Sequence, residues 1–377
     1  MEILCYRNVR VPSTTAHSLY GVRSCALLSR HTPVQMIASN GHTAFSMQEL
    51  YGLDLEDFPE FQIHVPPIHH KGISSVWRKQ LAKSWLKQRQ SKQRVVYVSQ
   101  RKCARFFRQL RRNNPAAFLL LLECHDADFG DGSELLAADA LIFTSESLRT
   151  EVIHRYPFVK TKPQRVYHHK INAKINAATN HKAAPNNIKR VTYAGSILPW
   201  KHLELLLQAH TILPSNFHLE IIGGSQQDAY RQQLIQDAIQ LGLADRTTFT
   251  PFVPMGHLPK LAGRSDVLVA TLAPQERLRM PFKLLDYLAW QRPVIAPDLP
   301  CVTELLTHGR NAFLYQSDSP NSLAEQIAAG CNLSNQERDR FIQEGKKVIR
   351  PFCEEIWATD FVAWLRSLTG ESCLQSA

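Results

Sequence analysis

Two lysines of this 377-residue chain stand in settings that suit a diphosphate. In Arg279-Met-Pro-Phe-Lys-Leu-Leu-Asp-Tyr-Leu-Ala289, Pro281 is placed where a helix can begin, because the first helical residue needs no N–H and proline's fixed φ suits that turn. Pro281, Phe282, Lys283 and Leu284 would form a first turn whose backbone N–H groups are unpaired at the positive end of the helix dipole, an anion site. Lys283 adds a full charge, and Asp286, three residues on, shares its face and can accept hydrogen bonds from sugar or ribose hydroxyls. Leu284, Leu285 and Leu288 supply a buried stripe, and Pro293 to Ala296 reads as the next buried strand. A second segment, Tyr193-Ala-Gly-Ser-Ile-Leu-Pro-Trp-Lys-His202, closes a strand at Gly195, where the missing side chain permits close backbone approach, and presents Lys201 at the start of the following helix. A third, Glu123-Cys-His-Asp126, leaves a buried strand and puts His125 at its mouth; Cys124 points to the opposite face. Asp126-Ala-Asp128 offers two carboxylates without further ligands, so no metal is expected. Taken singly, each has an ordinary reading, a solvated lysine or a histidine packed under a loop; the combination is what points to phosphate and sugar chemistry.

The run Pro281-Phe-Lys-Leu-Leu-Asp-Tyr-Leu-Ala-x-x-Arg-Pro-Val-Ile-Ala resembles the nucleotide-sugar-binding segment of family 4 glycosyltransferases of the GT-B fold, usually Pro-x-Lys-Leu-x-Glu-Tyr-x-Ala, a small pair, then Lys-Pro-Val. The resemblance is strong from Val191 to Glu304 and weaker before that. It implies two Rossmann-like α/β domains, doubly wound parallel sheets facing a cleft. It also implies transfer of a sugar, of hexosyl type, from a nucleotide-diphosphate donor to an acceptor hydroxyl, with retention at the anomeric carbon and without metal or other cofactor. By the same resemblance Lys201 matches the lysine that pairs with the donor diphosphate, Ser196 stands where arginine is common, and Asp286 stands for the family's Glu. His125 matches the histidine that approaches the donor sugar, giving His125, Lys201 and Asp286 as the catalytic set. Gly223 in Ile222-Gly-Gly-Ser225 and Val253 in Thr250-Pro-Phe-Val-Pro254 flank the nucleoside, with Val253 against the base. The family's first acidic residue would fall at Leu278, leaving Glu276 as the stand-in, and Thr14, Thr15 and His17 occupy the place of a glycine-rich phosphate loop.

Strand and helix alternate along the chain, as a doubly wound sheet requires. Strands are expected over Glu2–Tyr6, Val34–Ala38, Phe61–Val65, Arg94–Val98, Ala116–Glu123 and Leu141–Thr144, with a helix over Ser18–Ser29 capped by the preceding hydroxyls. After an Asn/Ala/Lys/Pro linker at 173–187 the alternation resumes from Arg190. The division is therefore an acceptor domain over 1–172, a donor domain over 188–352, and a C-terminal helix in 353–377 that, by the resemblance, crosses back to the first domain.

The composition, 44% hydrophobic and 20% charged, is that of a folded soluble protein. Eight scattered cysteines without a Cys-x-x-Cys pair read as reduced thiols, and Met1-Glu-Ile-Leu-Cys runs straight into a strand without a signal peptide, so a cytoplasmic protein is expected. The net charge of +11 is concentrated: from Phe61 to Leu122 there is no acidic residue, while Lys71 to Arg112 holds fourteen basic ones. Trp77, Leu81 and Trp85 share a helical face beside Lys79, Lys83 and Lys87, which fits equally peripheral docking on an anionic membrane and a helix that packs its aromatic side on its own sheet with a solvated basic side; in either case the basic face could guide a glycan or lipid-linked acceptor. The alternatives are a catalytically silent relative that binds nucleotide sugar or scaffolds an assembly, and a nucleic-acid-binding protein, although no nucleic-acid module is visible.

Overall fold

The computed structural model describes residues 1–67, 71–88, 93–112, 117–171 and 187–370. The linker expected at 173–187 falls almost wholly outside them, as do Arg89 and Lys92 of the basic stretch. The chain divides into two compact units, one of Met1–His168 with Glu354–Ala377, the other of His169–Cys353.

The first unit is built on seven strands, all parallel: β1 (Glu2–Val11), β2 (Val34–Asn40), β3 (Phe61–His64), β4 (Arg94–Val98), β5 (Leu119–Cys124), β6 (Ala140–Phe143) and β7 (Gln164–Val166). Their order is β3-β2-β1-β4-β5-β6-β7, so the strand order reverses at β1. β5 is central, with Leu120, Leu121 and Leu122 at most 1% exposed, which is why it reads as an unbroken apolar run. β1 runs five residues beyond the expected Tyr6; its register with β2 shifts between Tyr6 and Arg10 and then pairs Arg10 with Ser39 and Val11 with Asn40. That irregularity interrupts the alternation that would have signalled the longer strand.

The second unit has six parallel strands: β8 (Lys189–Ala194), β9 (Phe217–Ile222), β10 (Thr247–Thr250), β11 (Val267–Val269), β12 (Val294–Pro297) and β13 (Phe313–Tyr315), in the order β10-β9-β8-β11-β12-β13. Here the reversal is at β8, whose carboxyl end is Ala194-Gly195. β7 and β13, three residues each, have too few residues to show a period and escape a sequence reading.

The C-terminal helix Glu354–Thr369 belongs to the first unit. Its buried stripe of Trp357, Phe361, Val362 and Leu365 follows the expected helical spacing, each residue worth roughly 1.5–3 kcal/mol of transfer free energy. Glu354 at its start receives Arg23 through Nε at 3.0 Å and Nη2 at 2.6 and 2.8 Å, a buried bidentate pair.

Two expectations are corrected and one open pair of readings is narrowed. The helix Ala16–Ser29 begins two residues early, and Thr15, its N-cap, makes no side-chain capping bond, because Ser13 and Thr15 spend their hydroxyls on each other at 3.2 Å. In the helix Lys71–Lys87 the buried face is Ser74, Arg78, Ala82 and Trp85, with Trp85 under the Arg94 guanidinium as in the reading that packs the aromatic side on the sheet, while Trp77 and Leu81 are half-buried. The acid-free stretch is also less free in charge than in sequence: Arg94 pairs with Glu2 at 2.8 Å, Arg101 and Arg105 with the wholly buried Glu134, and Arg111 with Asp139 at 2.9 Å. Among the described residues no helix is long and apolar enough to cross a membrane.

Candidate functional site

In the second unit Gly195 and Ser196 follow the carboxyl end of β8 and Gly223 that of β9. Gly195 has φ +154°, donates its N–H to Ile222 at 2.9 Å, and adjoins Gly223, φ +145°, at the end of β9. A Cβ on Gly223 would lie 1.9 Å from the Gly195 carbonyl oxygen, so the two strand ends meet backbone to backbone only because both lack side chains. The next residue, Ser196, accepts the Tyr193 hydroxyl on its carbonyl at 2.7 Å, which fixes the tyrosine ring.

That ring carries Lys283. Its ammonium lies 3.4 Å from the Tyr193 ring centroid, is 9% exposed as a residue, and among the described residues has no hydrogen-bond acceptor. Burial pushes the Lys283 pKa well below its ordinary value, and the charge of Lys201 pushes it further. Lys201 ends a 3-10 turn, Pro199–Lys201, held by a hydrogen bond from Thr271 Oγ1 to its carbonyl. Its own pKa is lowered to about 8, mainly by burial and then by Arg279, against the opposing pull of Glu276. Glu276 is itself paired with Arg279 at 2.8 Å. Lys283 thus stands beside Gly195 and feels the charge of Lys201, and Lys201 feels that of the paired Arg279 and Glu276.

The helix that supplies Lys283 runs Lys283–Ala289, two residues later than expected. Phe282 is its N-cap in helical geometry, and the carbonyl of Pro281 already accepts from the Leu284 N–H at 3.1 Å. In this tight i to i+3 turn the Leu284 amide is engaged, which removes one of the expected first-turn donors. Leu284, Leu285 and Leu288 are buried as expected. Asp286 faces His169, whose Nε2 is 3.8 Å from Oδ1 and whose ring stacks on Phe282 at 5.0 Å. Val253 is partly buried against the core that includes Leu284 and Leu288.

Besides the Tyr193 ring under Lys283, two further contacts have no local signal in the sequence. Tyr287 reaches β8, accepting from the Ala194 N–H at 2.7 Å and donating to the Ala194 carbonyl at 2.8 Å, so the helix carrying Lys283 fixes the strand end that carries Gly195. His169 stands more than a hundred residues from Asp286 with nothing local to mark it.

In the first unit, His125 and His17 come together with ring centroids 5.3 Å apart. Glu123 holds the cluster: Oε2 accepts from Tyr97 at 2.7 Å and Arg7 at 3.0 Å, and Oε1 lies 3.5 Å from His125 Nε2. Thr14 and Thr15 are exposed on the adjoining loop. Cys124 is buried, and burial raises its thiol pKa well above the ordinary value, which excludes a ready nucleophile. Asp126 and Asp128 accept from the backbone N–H groups of Asp128 and Gly130, and among the described residues no three His, Cys, Asp or Glu side chains form a metal-binding group.

Residues 188–331 match the family model described as "Glycosyl transferases group 1". The chain is 27% identical over 139 residues to D-inositol 3-phosphate glycosyltransferase of Mycolicibacterium gilvum, an alignment spanning 36% of this chain and only 30% of that protein. Among solved structures it is similar to sucrose-phosphate synthase of Thermosynechococcus elongatus, with TM-score 0.78 and 16% identity over 99% of this chain and 100% of that one. It is also similar to Anabaena Alr3699/HepE in complex with UDP-glucose, with TM-score 0.74 and 17% identity over 97% and 99% of the two chains.

Proposed function

We propose, from the premise that residues 188–331 belong to the glycosyl transferases group 1 (GT4) family and that the chain has the GT-B fold, that this protein moves a sugar from a nucleotide-diphosphate sugar to an acceptor hydroxyl with retention. The observation that carries the reading is the Lys283 ammonium, buried beside Gly195, under the influence of the Lys201 charge and, among the described residues, without a hydrogen-bond acceptor. Burial lowers the pKa of both amines, and the charge of Lys201 lowers that of Lys283 further; an anion beside them favours their protonated forms, and a diphosphate supplies one. In glycosyl transfer negative charge grows on the leaving diphosphate, so Lys201 and Lys283, already in position, stabilise the transition state more than the ground state.

Asp286 takes a hydroxyl of the donor, with His169 beside its carboxylate. Gly195 and Gly223 leave the backbone open to the donor, Val253 contacts the base, and Glu276 tunes Lys201. His125 contributes a hydrogen bond to the sugar. The UDP-glucose bound by the similar HepE structure supports a uridine donor and a hexosyl group here, with a glycan or lipid-linked acceptor and no metal. A second reading, a relative that binds donor without turning it over, is favoured by Leu278 at the position of the family's first acidic residue.

Incubation with UDP-, GDP- and ADP-hexoses, following release of the nucleoside diphosphate, separates the two. Release by the wild-type chain that Lys201→Ala reduces at least a hundredfold supports transfer chemistry. Donor binding with no release in any mixture supports the silent relative.

A further inference from the structure

We propose that the first unit carries a binding pocket for an anionic polyol, a sugar or cyclitol bearing a phosphate or carboxylate. A cavity of about 680 Å³ opens at the carboxyl ends of β1 and β2, within the roughly 300–1,000 Å³ of small-molecule sites. One wall is the extension of β1 past its register shift, bringing Arg10; the other comes from Ser74 and Arg78 of the helix Lys71–Lys87, with Ser13, Asn40 and His42 completing the lining. The floor is closed by Gly41, whose N–H donates to Val11 at 3.0 Å and where a Cβ would stand 2.0 Å from the Pro12 carbonyl oxygen.

Arg78 identifies the ligand. It is only 7% exposed, yet it donates to neutral acceptors, Asn8 Oδ1 at 3.0 Å and the Arg7 carbonyl at 3.4 Å, and among the described residues its buried Nε has no acceptor. A guanidinium removed from water and left without a carboxylate is stabilised by an incoming anion, and its planar fork fits phosphate or carboxylate oxygens. Arg10 adds a second guanidinium at the rim, and no described lining residue is acidic. The Ser74 hydroxyl, the His42 imidazole and Asn40 Oδ1, whose amide nitrogen donates to the Pro66 carbonyl at 3.1 Å, suit the hydroxyls of a polyol. A neutral sugar would leave the Arg78 charge facing only neutral groups, its two acceptors and the Tyr6 ring 5.8 Å from its guanidinium carbon. The site deepens the glycosyl-transfer reading by giving the acceptor a charge, and rests on that reading only for the word acceptor.

Calorimetric titration of the full chain with glucose 6-phosphate, glucuronate and glucose, each with and without saturating UDP, tests this. Sedimentation with vesicles containing phosphatidylinositol 4-phosphate distinguishes a lipid-borne anion from a free one. The expected result is that at least one anionic probe binds at least tenfold more tightly than glucose, that UDP does not displace it, and that Arg10→Gln weakens it at least fivefold with UDP affinity and Tm retained. Equal binding of glucose, displacement by UDP, indifference to Arg10→Gln, or no binding of any anionic probe by a chain that still binds UDP overturns the pocket. Failure of UDP itself to bind counts against the donor reading and leaves the pocket result to stand alone.

Discussion

The Lys283 ammonium occupies the space a side chain on Gly195 would need: a Cβ there would lie 2.7 Å from Nζ and 2.8 Å from Cε. The strand end and the helix lysine are therefore one feature, and Gly195 is a glycine for the sake of the cation as well as its own φ of +154°. Gly195→Ala is expected to displace the flexible end of Lys283 and to lower UDP affinity at least tenfold, about 1.4 kcal/mol. Backbone strain of about 1–3 kcal/mol should appear as a modest fall in Tm by thermal denaturation. Unchanged affinity would show that the ammonium does not meet the ligand.

A buried cation without an acceptor costs the folded state stability, so removing it should help the empty protein. Lys283→Met is expected to raise the Tm of the ligand-free chain by a few degrees, from roughly 1–2 kcal/mol, while abolishing its rise with UDP. Differential scanning calorimetry with and without UDP reads both. A lower Tm without ligand would mean that the ring of Tyr193 more than offsets the burial.

The depressed pKa values give a pH signature. Lys201 titrates near 8 in the folded chain against an ordinary value of 10.5, so the unfolded state binds more protons between those values and stability should rise with pH across that window. Ligand binding works in the opposite sense. A bound diphosphate favours the charged lysines, so binding near pH 8 to 9 should take up protons, and affinity should fall as pH rises above 8. Calorimetry in buffers of different ionisation enthalpy measures the uptake; proton release, or none, would exclude contact between the diphosphate and these amines.

In the first unit, Glu354→Gln should leave the buried Arg23 charge without its bidentate partner, while the Arg23 Nη1 bond to the Tyr51 carbonyl at 2.6 Å remains. The expected loss is about 3–5 kcal/mol in unfolding free energy by denaturant titration, with UDP binding by any remaining folded protein unchanged. A loss below 1 kcal/mol would show that this pair does not hold the C-terminal helix.

How much of this was legible in the sequence follows from the range of the interactions. The alternation of buried strands and helices is local, so most strands were placed to within a few residues, as was the apolar face of Glu354–Thr369. Lys201 and Lys283 could be singled out because proline and glycine mark chain reversals beside them. What they share was not legible: the ring of Tyr193, the Tyr287 hydroxyl on Ala194 and the His169–Asp286 pair are contacts of tertiary structure between residues that no local period connects. The same holds for the basic stretch, whose acidic partners Glu2, Glu134 and Asp139 come from outside it, and for Trp85, whose helical spacing could not say which face is covered.

The central claim is that Lys201 and Lys283 together grip a diphosphate. The most direct measurement is calorimetric titration of UDP, UMP and uridine against the wild-type chain and the Lys201→Met, Lys283→Met and double variants. The expected affinities fall in the order UDP, UMP, uridine for the wild type, with losses of at least tenfold for UDP in each single variant and little change for uridine. Equal binding of UDP by the wild type and the double variant would contradict the claim.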